Sequence, residues 1–302
     1  MRAARYIGIG AGIGLTLLIG SAVALRGQSS PAFKFHHVHL NTVDSAKAID
    51  FYATNFNAQR GLLGGKVPGV QAQGKWLLFN QVRTAPAWPV VSSLYHIGWG
   101  APDMAATYKT LVDRRVAFET PITDISKVIE SGSGRVFFAY VDGPDHAMIE
   151  INTARDDTFQ HVHFLSDDPV ATGQWYLKHF GATSANPNPP REARTHNGLQ
   201  IYPYMGANLD GVQFWWYPKA FGSGSYPEAW KGRTTFASSR GRVIDHVAFS
   251  VDNLDAALTR LEAMGVKVLQ RPRTAVDGQL RSAFIEAPDG VELELVDGHA
   301  KS

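Results

Sequence analysis

Four segments of this chain begin alike: HVHLNTVD at His37, HIGWGAPD at His96, HVHFLSDD at His161 and HVAFSVDN at His246. Each alternates in character, as a strand does when one face is packed. In the last, Val247, Phe249 and Val251 point one way while His246, Ala248 and Ser250 point the other. The same phase sets Val162 and Phe164 opposite His161 and His163, and Ile97 and Trp99 opposite His96. A sequence that repeats one strand four times, each opening on histidine, predicts a modular fold with histidines aligned on one face.

A helical pattern follows each strand. AKAIDFYATNF follows the first and VATGQWYLKHF the third, with Phe51, Tyr52 and Phe56 matching Trp175, Tyr176 and Phe180. His37 and His161 stand 124 residues apart, as does each of these aromatic pairs. The second and fourth helices match at Met104 with Leu254, Tyr108 with Leu258, Leu111 with Leu261 and Val116 with Val266. Such spacing makes one buried helical face, so these aromatics are expected in the core.

Further strand-like runs come next. RVFFAYVDGPDHAMIEIN and RSAFIEAPDGVELELVD turn at Pro-Asp, and aligning Pro144 with Pro288 places Glu150 on Glu294. The chain thus reads as an α+β protein of four βαβββ units, roughly 33–92, 93–155, 158–220 and 240–299. Pairing neighbours gives a domain over 31–156 and another over 157–302, behind an N-terminal segment 1–30. Residues 185–198 are expected to be a loop within unit three. Residues 217–241, rich in Gly, Ser and Pro but holding Phe221, Tyr226 and Trp230, are expected to form a linker or a lid over a cleft.

Composition removes several kinds of chemistry. No cysteine is present, which excludes disulfides, thiolate zinc sites, iron–sulfur clusters and Cys nucleophiles. Any metal must be held by nitrogen and oxygen. A net charge of +2 offers no electrostatic case for nucleic acid. Arg2 and Arg5 precede an uncharged run, IGIGAGIGLTLLIGSAVAL, ending near Ala22-Val23-Ala24. That pattern is expected of an export signal, which places the protein in the periplasm or outside the cell. The competing expectation is a retained membrane anchor, because the run just reaches spanning length.

The four His-starting strands, the paired helix aromatics and the Pro-Asp-x₄-Glu endings resemble the vicinal oxygen chelate superfamily, with its glyoxalases, extradiol dioxygenases and bleomycin-resistance proteins. The resemblance covers about residues 33–298. It implies that paired βαβββ units curve a sheet around a divalent metal, Fe(II) or Zn, Mn or Ni, held by residues from first and last strands. Carried over residue by residue, His37, His96 and Glu150 would be the ligands of the first domain, and His161, His246 and Glu294 those of the second. Two His and one carboxylate with open positions independently suit a divalent first-row metal. His39 and His163 share the phase of the ligand histidines, as further ligands, partners of ligands or proton carriers. His36 falls on the other face by the same alternation and is read as structural.

The departures from the family are specific. Units one and three end in KWLLFN and VQFWWYP, without the carboxylate that a glyoxalase-type pair needs. The extradiol enzymes of the family carry a tyrosine ten residues before the ligand Glu. Tyr140 fits that place before Glu150, whereas Phe284 stands there before Glu294. Trp76, Trp215 and Trp216 are expected in the core or, alternatively, as an aromatic wall. These readings predict a metal-dependent enzyme, dioxygenase-like or glyoxalase-like, that acts on a small substrate through vicinal oxygens. A protein that sequesters a small molecule without catalysis is the alternative.

Overall fold

The computed structural model describes residues 32–88, 90–127, 135–274 and 280–298. The N-terminal segment, and with it the expected signal or anchor, lies outside the described residues. Among the described residues, no helix is long and apolar enough to cross a membrane.

Unit one comprises β1 (Lys34–Thr42), α1 (Ser45–Asn55), β2 (Gln59–Leu63), β3 (Val67–Ala72) and β4 (Lys75–Gln81). Unit two comprises β5 (Leu94–Ala101), α2 (Met104–Asp113), β6 (Phe118–Asp124), β7 (Phe137–Asp142) and β8 (Met148–Thr153). Unit three begins with β9 (Phe159–Ser166) and α3 (Pro169–Phe180). It then departs from the pattern. The stretch expected to be a loop runs into a hairpin of β10 (Arg194–His196) and β11 (Leu199–Ile201), a two-stranded sheet of its own. Its turn is Asn197-Gly198, both at positive φ (50° and 75°), the pair that a tight hairpin turn demands. β12 (Met205–Leu209) and β13 (Val212–Pro218) complete the unit. Two short helices, α4 (Ala220–Ser225) and α5 (Pro227–Trp230), fill the connection to unit four. That unit comprises β14 (Ile244–Val251), α6 (Leu254–Ala263), β15 (Val268–Thr274), β16 (Arg281–Ala287) and β17 (Val291–Asp297).

The strands form two large mixed sheets. One has eight strands in the order β15-β16-β17-β14-β1-β4-β3-β2, and the other seven in the order β12-β13-β9-β5-β8-β7-β6. Unit one therefore shares a sheet with unit four, and unit two with unit three. This differs from the expected pairing of neighbours in domains 31–156 and 157–302, since each sheet draws one unit from each segment.

The physical reason lies in the apolar faces. Neighbouring units bury these faces against each other across the core, which leaves their sheet edges to a more distant unit. Tyr52 and Phe56 of the unit-one stretch approach Trp99 of β5, in the other sheet, with ring centroids 6.1 and 4.9 Å apart. Phe180 of α3 meets Phe249 of β14 in the same manner at 5.0 Å. Tyr52, Tyr176, Trp99, Trp216, Phe164, Phe214 and Phe249 are all fully buried.

Each main helix starts at a side chain that caps it. Asp44, Asp103, Asp168 and Asn253 accept hydrogen bonds from the backbone N–H groups of Lys47, Ala106, Ala171 and Ala256 at 2.9–3.0 Å. The Pro-Asp turns tie neighbouring units together. Asp145 accepts from Thr42 Oγ1 at 2.5 Å and from Val43 N at 3.1 Å. Asp289 accepts from Asp167 N at 3.2 Å and Thr172 Oγ1 at 3.1 Å.

Candidate metal centres and the cleft

The centre of each sheet is a pair of antiparallel first strands, and register decides which histidines meet. In β1 and β14, His39 faces His246 and His37 faces Ala248, while Glu294 on β17 lies beside Ala248. In β9 and β5, His163 faces His96 and His161 faces Gly98, with Glu150 on β8 beside Gly98. Two like clusters result: His37, His39, His246 and Glu294, and His161, His163, His96 and Glu150. All six expected ligands are gathered, but in exchanged company. His96 and Glu150 join His161, while His37 joins His246 and Glu294. The exchange follows directly from the pairing of units across the sheets.

In the first cluster the Nε2 atoms of His37 and His246 each lie 3.3 Å from Glu294 Oε2. The rings of His39 and His246 are 4.9 Å apart. In the second, His96 Nε2 lies 3.0 Å from Glu150 Oε2, and His161 Nε2 lies 4.0 Å from Oε1. One donor atom from each of His96, Glu150, His161 and His163 falls within 4.8 Å of the others, and the same holds for His37, His39 and His246. His161 Nε2 and His39 Nδ1 are buried without a hydrogen-bond partner among the described residues. Buried imidazole nitrogens left unpaired are costly, so atoms converging in this way fit a divalent cation. Gly98 makes the room: a Cβ there would stand 1.9 Å from His161 Cε1.

Electrostatics separate the groups. Burial, reinforced by the charges of His246 and His37, lowers the His39 pKa to about 3. Burial likewise lowers His161 to about 4 and puts His163 well below its ordinary value. For His246 burial acts downward too, but hydrogen bonds to Asp245 and Glu294 overcome it and raise the imidazole to about 9. Burial pushes Glu150 and Glu294 upward, yet their histidine partners hold both carboxylates below the usual range. The neutral imidazoles of His39, His161 and His163 and the two ionised carboxylates are in the forms that bind cations, whereas His246 must give up a proton to do so.

The position of a second carboxylate is filled otherwise. Within each sheet the approximate two-fold symmetry of the first strands maps Glu294 onto Leu78, the neighbour of His39 on β4. It maps Glu150 onto Trp215, the neighbour of His163 on β13. Each cluster instead gains an imidazole, His39 or His163, from a first strand.

A cleft of about 1230 Å³ opens onto the second cluster and is lined there by Tyr140, Glu150, His161, His163 and Trp215. Tyr140 lies opposite Glu150 in the β7–β8 ladder, with its ring 5.0 Å from that of His96. Burial and the Glu150 charge raise its hydroxyl well above the ordinary tyrosine value. Of the three tryptophans read as core or wall, Trp216 is core. Trp76 is buried with Leu63 and Leu78, and Trp215 lines the cleft. The connecting stretch reaches the cleft through Phe221, Gly224, Ser225 and Pro227, while Tyr226 and Trp230 anchor it beneath.

Alternation along the strands misplaced one residue. His36 Nδ1 stands 2.8 Å from His37 Nδ1, because β1 carries a bulge at that point. Gly98 and Asp245 carry no signal of their own in the sequence: Asp245 directly precedes His246, and Gly98 stands two residues after His96.

Residues 158–295 match the model of the Glyoxalase/Bleomycin resistance protein/Dioxygenase superfamily. Units three and four are thus similar to a domain of that superfamily. The matched stretch is units three and four, so it supplies half of each sheet of the superfamily fold. Glyoxalase I from Zea mays is similar over 88% of this chain and 93% of its own, with TM-score 0.61 and 15% identity. A presumed dioxygenase from Bacillus subtilis is similar over 87% of this chain and 84% of its own, with TM-score 0.56 and 13% identity. No curated protein sequence matches the chain.

Proposed function

We propose that this protein is a metal-dependent, dioxygenase-like enzyme that acts on catechols or related substrates chelating through two neighbouring oxygens. Its working centre is the cluster of His96, His161 and Glu150. The observation carrying this reading is the company those residues keep at the head of the cleft: Tyr140 beside Glu150, and His163 where it reaches both His96 and His161. A divalent ion held there would supply a Lewis acid for the paired substrate oxygens and, as Fe(II), the redox chemistry that O₂ requires.

The remaining work falls to side chains. His163 is neutral and partly exposed to the cleft, so it can take a proton from a substrate hydroxyl. Tyr140 keeps its proton and can donate a hydrogen bond to a substrate oxygen. Tyr204 and Tyr217, stacked at 5.7 Å, and Trp215 offer an aromatic wall for a planar ring. With Trp215 in place of a second carboxylate, the proton shuttle of a glyoxalase-type isomerisation has only one carboxylate to draw on.

The test is oxygen uptake with a panel of catechols after anaerobic loading with Fe(II). Uptake should match substrate consumed one to one. His163→Ala and Tyr140→Phe should lower kcat by about 10²–10⁴-fold and leave bound iron unchanged. Turnover of 2-oxoaldehyde–thiol adducts instead would move the reading to an isomerase or lyase. Tight binding of an apolar ligand by metal-free protein, without turnover, would favour sequestration.

A further inference from the structure

Every first strand has a register shift that places one extra residue immediately before its leading histidine: His36, Tyr95, Gln160 and Asp245. Successive strand side chains ordinarily point to opposite faces, but a bulge turns the extra one toward its neighbour's side. The consequence is a side chain beside the outer nitrogen of the leading histidine. Asp245 Oδ1 lies 2.6 Å from His246 Nδ1, His36 Nδ1 lies 2.8 Å from His37 Nδ1, and Gln160 Oε1 lies 3.4 Å from His161 Nδ1. Before His96 the bulge residue is Tyr95. Its ring sits 4.9 Å from the imidazole, and His96 Nδ1 has no hydrogen-bond partner among the described residues.

Asp245 is itself held in place. Its Oδ2 accepts from Asn41 Nδ2 at 2.8 Å and from Gly241 N at 2.6 Å. Asn41 also donates to Arg242 O at 2.8 Å and accepts from Asn80 Nδ2 at 2.9 Å. Oδ1 is thereby left to accept from His246 Nδ1–H, which leaves Nε2 as the nitrogen that faces the cluster. A carboxylate in that position fixes the tautomer and strengthens imidazole as a ligand, and its loss typically costs 10–100-fold in metal affinity.

We propose that Asp245 is a positioning residue for His246 that makes the His37–His39–His246–Glu294 centre the tighter of two unequal divalent-cation sites. The His96–His161–Glu150 centre, with Tyr95 in the corresponding bulge, holds its ion more loosely. The inference rests on reading the two clusters as metal centres, not on what the second one catalyses.

The experiment titrates metal-free protein with Co(II), followed by visible absorption and by equilibrium dialysis. The wild type should bind two ions in two resolved steps. Asp245→Asn should weaken the tight step by about 10–100-fold and leave the weak step in place. Asp245→Glu should recover part of the loss, and Gly98→Ala should remove only the weak step. Equal affinity for both ions in the wild type, or a tight step unchanged in Asp245→Asn, would overturn the proposal while leaving the metal centres standing. No Co(II) bound by the wild type would overturn the metal reading itself.

Discussion

Gly98 is needed for its missing side chain. The space a Cβ would take is occupied by the imidazole of His161, so Gly98→Ala must displace that ring or the strand. We expect a cost of about 1–3 kcal/mol from the forced shift, and metal content falling from two ions to one per chain. Ala248, at the same register opposite His37, already carries a Cβ, so the two centres differ at this position. Asp289 gives a pH-dependent counterpart. Burial raises its carboxyl above the usual range despite hydrogen bonds from Asp167 N and Thr172 Oγ1. A pKa raised on folding means that the folded chain holds the proton more tightly. The stabilising contribution is then present below the unfolded pKa and lost as pH rises through the folded one. Asp289 sits at φ 62°, a conformation that asparagine tolerates. Asp289→Asn should therefore raise Tm at pH 7, with the gain shrinking towards pH 4. A gain that does not vary with pH would rule out the buried charge as its source.

The helices illustrate the difference between what patterning requires and what packing requires. Tyr52 and Tyr176 occupy the repeated aromatic position and are buried as expected, yet their hydroxyls have no hydrogen-bond partner among the described residues. The ring is needed and the oxygen is not. Tyr52→Phe and Tyr176→Phe should each stabilise by about 1 kcal/mol, read as a rise of about 2–4 °C in Tm. The caps act in the opposite direction. Asp168→Ala removes the acceptor for Ala171 N and an ion-pair partner of Arg191, and should cost about 1 kcal/mol in a urea melt. Strand and helix identities were legible here because alternation, helical spacing and Asp or Asn caps are local signals. The β10–β11 hairpin was missed although Asn197-Gly198 announces it, because the proline- and asparagine-rich run before it outweighed the turn pair. Bulges left no signal at all. They exist only as a mismatch between two strands, which is why alternation put His36 on the wrong face and gave no role to Asp245.

At the level of the whole molecule, neither half of the chain owns a complete centre. Residues up to 156 carry His37, His39, His96 and Glu150; those beyond carry His161, His163, His246 and Glu294. Separately produced halves, 32–156 and 157–298, should each leave a first-strand edge open. They should bind little metal when alone and monomeric, and recover two ions when refolded together. Sedimentation with metal analysis reads both quantities. Monomeric halves that each bind one ion would contradict the sheet pairing. The sequence by itself determined the strand–helix units, the histidine and glutamate positions and the absence of a second carboxylate, because those depend on periodicity and residue type. Which unit meets which was decided only by tertiary structure. Four nearly equivalent units can pair edge to edge in several ways, and no local pattern distinguishes them. The choice is made by how apolar faces bury one another, with Tyr52 and Phe56 against Trp99 and Phe180 against Phe249. That burial sends His37 across the sheet to His246 and His96 to His161.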